Sequence, residues 1–272
     1  MYKGTPSAAE SAFWEAVRNG DDAAREAAVA KMRTDVAADP TNGYSAFLSG
    51  ASTLMPSAAL PRALAAGQPL SMGGGAPPFD PGPLFKQSLE HLTDPLYIGF
   101  ADILLSFVQL RAGDMAGAGQ SQKAAFAHNV PASSVGVVNG QLIGGDVAGA
   151  RDTMLAMLDF CNGSPVDRQK PDLAAFVDKA NASGLAHREC YSGYFGPHAT
   201  EGELLLVGDL HAASGNGAVA VLYYQAMNRA TSYATWPLRP LAERRLSGAQ
   251  PVQTTDLSAI AACTTCHTNT LP

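Results

Sequence analysis

Nowhere in this chain is there an apolar run long enough to cross a bilayer. Ile103 to Leu110 and Leu204 to Val207 are among its longest stretches, well short of the roughly 18 to 20 residues a spanning helix needs. Blocks of like charge are missing as well. Acidic residues outnumber basic ones 24 to 18, so no surface is marked out for tracking phosphates, and nucleic acid is excluded as a partner. No glycine-rich nucleotide loop, helical His-Glu-x-x-His or nucleophile elbow occurs, and Gly73-Gly74-Gly75 lacks the flanks of a phosphate loop. The opening Met1-Tyr-Lys-Gly-Thr-Pro has neither the basic nor the apolar region of a secretory signal. The chain is therefore expected to be cytosolic or a mature form that has lost its leader. Period-two apolar alternation is scarce, which argues against a sheet.

What remains is rich in alanine and, at 46% apolar residues, able to bury a substantial core. Amphipathic segments separated by Gly, Asn and Asp predict an all-α protein. Ser7 and Glu10 have the spacing of a capping box ahead of Phe13. A second helix is expected from Asp21 to about Arg33, and Tyr44, Phe47, Leu48, Ala51 and Met55 line one stripe of a third. Between Pro56 and Pro83 stand seven prolines and five glycines, which predicts an irregular excursion, functional or disordered. Helix resumes at Leu84, and Asp94-Pro95 reads as a cap followed by proline in the first turn. Four regions result: N-terminal helices over 1–55, the excursion over 56–83, a helical-repeat region over 84–230 and a C-terminal segment over 231–272.

The repeat is carried by Gly113-Asp114, Gly145-Asp146 and Gly215-Asn216, each with a small residue five positions after its glycine: Ala118, Ala150 and Ala220. Gly20-Asp21 echoes the step, with Arg25 in place of the small residue. With Leu204, Val207, Gly208, Ala220 and Tyr224, this resembles the tetratricopeptide class. The resemblance implies stacked antiparallel helical hairpins in which the small residue lets the second helix approach the first.

The strongest chemical signal is Cys263-Thr264-Thr265-Cys266-His267, the C-x-x-C-H form of a c-type haem attachment site. On a helical turn the two thiols and the imidazole share a face. Chance would produce such a pentad on the order of 0.001 times in a chain of this composition. A four-cysteine zinc site would need a second C-x-x-C, which is absent. The motif resembles that of c-type cytochromes, which implies one haem c, thioether bonds at Cys263 and Cys266, and His267 as proximal iron ligand. Its C-terminal position resembles cytochromes c prime, although length and repeats do not match that family. The preceding run Asp256-Leu-Ser-Ala-Ile-Ala-Ala is a good helix former, so a C-terminal haem-attachment helix is expected.

A distal ligand is sought upstream. His198, in Tyr194-Phe-Gly-Pro-His198, is the favoured candidate. His211 and Met227 read as core, His91 and His128 as solvated helix ends, and Met72 as a loop side chain. Trp236 could pack on the porphyrin, while Arg239, Arg244 or Arg245 could pair with propionates. An inter-helix connection with a buried tryptophan is the alternative. Cys161 and Cys190 could form one disulfide, suited to an oxidising compartment, or remain buried thiols.

These readings converge on an exported, periplasmic monohaem cytochrome that passes electrons to a redox partner protein, rather than an enzyme. The alternatives are an open-site haem protein for a small gas or peroxide, and a non-haem helical-repeat adaptor with a C-terminal cysteine pair.

Overall fold

The computed structural model describes residues 7–19, 21–54, 66–67, 79–128, 130–183, 199–231, 233–236, 238–254, 256–257 and 260–261. Among them are twelve α-helices and no strand, as the missing alternation implied. In chain order they are α1 (Ala8–Asn19), α2 (Asp22–Ala38), α3 (Gly43–Ala51), α4 (Gly82–His91), α5 (Pro95–Arg111) and α6 (Met115–His128). There follow α7 (Val130–Ile143), α8 (Val147–Asn162), α9 (Ala174–Ser183), α10 (Ala199–Ala213), α11 (Gly217–Met227) and α12 (Arg239–Leu246). The chain divides into two compact units: Met1–Met55 with Gly73–Gly136, and Pro56–Met72 with Val137–Pro272. The division falls inside α7, within the stretch 84–230.

In the first unit each helix from α1 to α6 packs on the next, and α5 also reaches α3. The capping box at its start is formed as the spacing predicts. The Glu10 amide donates to Ser7 Oγ at 3.1 Å, and the Ser7 amide donates to Glu10 Oε2 at 2.9 Å. Glu10 Oε1 also accepts from Ser45 Oγ at 2.7 Å, so the same carboxylate ties α1 to α3. Phe13, Met32, Phe47, Phe85 and Tyr97 are fully enclosed. Tyr97 meets Tyr44 edge-on at 4.8 Å and Phe47 at 5.6 Å. Helix α2 continues five residues beyond Arg33, to Ala38, because Val36 is still buried. It stops where Pro40 follows. Helix α4 opens at Gly82 rather than Leu84, with Pro83 in its first turn, a position that needs no N–H.

The repeat is visible as one turn used again and again. The amides of Asp114, Asp146 and Asn216 donate to the carbonyls of Gln109, Gln141 and His211 at 2.9, 2.8 and 2.8 Å. Gly113, Gly145 and Gly215 supply the left-handed conformation between them at φ 79°, 79° and 81°. This six-residue closure satisfies the orphan carbonyls of a helix end. The N-terminal echo belongs to the series: the Asp21 amide reaches the Ala16 carbonyl at 2.9 Å in the same way. Asp21, Asp114 and Asp146 then cap the following helices by accepting from Ala24, Gly117 and Gly149. Ala118, Ala150 and Ala220 are buried, as expected of contact residues. At the equivalent place Arg25 is tolerated because its Nη2 pairs with Asp22 at 3.1 Å.

In the second unit α10 packs on α8 and α11, with α9 and α12 against α11. Leu204 to Leu210, Met154, Leu158, Phe176, Tyr223, Met227 and Leu241 form its interior.

Candidate functional site

The residues that carry the strongest chemical signal, Cys263, Cys266 and His267, lie outside the described residues, as do His198, Met72 and Cys190. What the structure does give is the approach to them. Leu257, Ile260 and Ala261 are helical and fully buried in the second unit. Ala261, two residues ahead of Cys263 in the sequence, is the last described residue of the chain.

Three of the polar contacts to this approach come from one arginine. Arg245, on α12, has a side chain only 1% exposed and faces Asp209 of α10, which is 0% exposed. Its Nε donates to both Asp209 oxygens at 3.2 Å. Its Nη1 donates to the carbonyls of Gln250 and Pro251, each at 2.9 Å, and its Nη2 reaches Asp256 Oδ2 at 3.5 Å. The hydroxyl of Tyr224, on α11, donates to Asp209 Oδ1 at 2.6 Å. Burial raises the Asp209 carboxyl to about 6, against the opposing pull of Arg245 and Tyr224. Arg245 is thus fully engaged within the protein. The clue to its partner was Asp209 itself, an acid inside the apolar run Leu204–Leu210, where a buried charge needs a counterion.

Trp236 follows the short 3₁₀ turn Tyr233–Thr235 and is 2% exposed, its ring 6.0 Å from that of Tyr233. Its indole N–H is buried and has no acceptor among the described residues. Arg239 is exposed at the start of α12, where its Nε donates to Glu243 at 2.6 Å and its guanidinium lies 5.7 Å from the Tyr233 ring. Arg244 donates to the side chain of Gln250 at 2.7 Å. Trp236 and Arg239 thus flank the same tyrosine.

A second departure from ordinary packing lies between α10 and α11. In two hairpins a hydroxyl on the second helix donates to a glutamine on the first: Ser121 to Gln109 at 2.9 Å and Thr153 to Gln141 at 3.1 Å. The same turn geometry places His211 and Tyr223 at these positions. Their rings stack at 5.3 Å, and neither imidazole nitrogen nor the phenol oxygen has a hydrogen-bond partner among the described residues. Burial, with Arg151 and Arg168 adding to it, lowers His211 to about 4, and burial pushes Tyr223 up to about 12. His211 and Met227 are core residues, as their spacing suggested, and His91 and His128 are exposed at helix ends.

Cys161, at the end of α8, is disulfide-bonded. Among the described residues no group of three His, Cys, Asp or Glu could hold a metal ion, and no helix is long and apolar enough to cross a membrane. A groove of about 710 Å³ in the first unit is lined by Arg33, Val36, Pro40, Phe79, Leu84 and His91 among others, and by none of the sequence-predicted site residues. No protein-family model matches the chain, and no curated protein or solved structure matches it either.

Proposed function

We propose that the chain is an exported monohaem c-type cytochrome that transfers electrons, with one haem c bound through Cys263 and Cys266 and His267 as proximal ligand. The observation that carries this reading is the pentad Cys263-Thr264-Thr265-Cys266-His267. When bound, the group supplies a one-electron couple; the protein's part is to hold and orient it.

Two features of the fold support the reading. The first is Trp236: a buried N–H without an acceptor is costly, and an indole donor suits a haem propionate. Arg239, on the other side of Tyr233, is the second propionate partner in this reading. The second feature is the disulfide of Cys161, which fits an oxidising compartment such as the periplasm. With both motif thiols consumed, Cys190 is the one cysteine left to pair with it. His198 is the proposed distal ligand. The helical hairpins position the haem segment against a redox partner protein, for which electron transfer needs only a docking surface.

The test is the reduced absorption spectrum of protein matured in an export-competent host, followed by acid extraction into organic solvent. Colour should stay with the protein, since thioether bonds do not depend on folding. Complete loss of colour to the organic phase would exclude covalent attachment, and absence of any haem would leave the adaptor reading.

A further inference from the structure

We propose that Arg245 is a positioning residue for the segment that leads to the haem-attachment motif, an anchor that ties Gln250, Pro251 and Asp256, ahead of buried Leu257, Ile260 and Ala261, to the α10–α11 hairpin. The proposal rests on the haem reading for its purpose and on the described geometry for its substance.

The internal repeat provides the argument. Aligned by their turns, the hairpins place Phe107 and Asn139 where the last one has Asp209, and Gln122 and Met154 where it has Tyr224. Phe107 and Asn139 are uncharged and only partly buried. A hairpin of this kind therefore needs neither a buried acid nor its phenol donor. Among the three, both occur only where Arg245 arrives. A buried ion pair is also a poor way to gain stability, because apolar residues of similar volume often serve as well or better. A guanidinium does what an apolar residue cannot: its fan of donors spans a carboxylate, two main-chain carbonyls and a second carboxylate at once. The carbonyls belong to Gln250 and Pro251, ahead of the turn that carries Leu257, Ile260 and Ala261. Arg244 also holds Gln250, through its side chain at 2.7 Å and its amide at 3.3 Å, but the two carbonyls take their side-chain donor from Arg245, and without it they would lose that donor.

The experiment uses the haem-loaded protein and its Arg245→Gln variant, compared by hydrogen exchange and by redox titration. Arg245→Gln should speed exchange across 250–261 at least tenfold, leave α1–α6 unchanged, and shift the reduction potential. Arg245→Lys, which keeps the charge but not the fan of donors, should fail to restore either. If Arg245→Gln does not fold, Asp256→Ala, which spares the Asp209 pair, should show the same local loosening in smaller measure. Wild-type exchange over 250–261 in the variants overturns the proposal, as does an unchanged potential in a loosened variant. Failure of haem attachment in the wild type overturns the cytochrome reading instead, and the exchange result then still decides whether Arg245 is the anchor.

Discussion

Substituting alanine at Gly208 tests the packing of the last hairpin directly. A β-carbon there would sit 2.8 Å from Tyr224 Cδ1 and 3.2 Å from its Cζ, and closer still to Cε1. Carbon atoms pack best at roughly 3.5–4.0 Å, so the ring must retreat by about 1 Å. The ring cannot yield freely, because its hydroxyl is held 2.6 Å from buried Asp209. Overpacking of this kind costs about 1–3 kcal/mol, and losing a hydrogen bond to a charged group about 1.5–3 kcal/mol. Replacing helical glycine by alanine returns about 1 kcal/mol, leaving a net loss of about 3 kcal/mol. At roughly 2–4 °C per kcal/mol for a chain of this size, the melting temperature followed by circular dichroism should fall by about 6–12 °C. Gly208→Ala combined with Tyr224→Leu should recover part of the loss, since the clash is gone. A Gly208→Ala protein that melts within 2 °C of wild type would refute the reasoning, as would strict additivity in the double variant.

Four further outcomes are expected. Cys263→Ala or Cys266→Ala should each leave a single thioether and an unstable product on denaturing gels stained for haem, whereas Cys161→Ala should keep attachment while losing about 2–5 kcal/mol of stability with its disulfide. His211, lowered to about 4 in the fold from about 6.5 when unfolded, binds its proton first in the unfolded chain. Stability should accordingly fall as pH drops from 6.5 towards 4, by at most about 2 kcal/mol after solvent screening, and His211→Gln should flatten that slope in urea titrations. With His198 on the iron, both oxidation states should be low-spin and carbon monoxide should bind slowly; a rapid adduct in the wild type would favour the open-site class, and an unchanged spectrum in His198→Ala would remove that ligand. Trp236→Phe should keep the fold and change the reduction potential if the indole donates to a propionate, and an unchanged potential would remove Trp236 from the site.

Local rules made much of the fold legible. Ser7 and Glu10, or Gly145 and Asp146, are neighbours in sequence, and the turn they form depends on little else. The N-terminal copy was harder to see because Arg25 breaks the small-residue pattern and is accommodated by its own neighbour Asp22. The end of α2 was missed because tertiary burial of Val36 extends a helix past the point its pattern suggests. Arg245 and Asp209 are 36 residues apart, and no periodicity links an arginine to one distant acid among several. The sequence marks Trp236 as a residue to bury, but only the folded arrangement reveals that its N–H has no acceptor among the described residues.

The repeated turns also bear on the order in which the chain assembles. Each closes over six residues, as between Gln109 and Asp114, and contacts so local form in microseconds, ahead of any that must wait for distant chain ends to meet. Docking of the Arg245 segment is the opposite kind of event, since its receptor does not exist until α10 and α11 have come together around Asp209. Leu257, Ile260 and Ala261 should thus be the last of the second unit's buried residues to be drawn in. For as long as that docking is pending, the stretch they belong to stays accessible on a body already formed, which is the interval the proposed haem attachment would need.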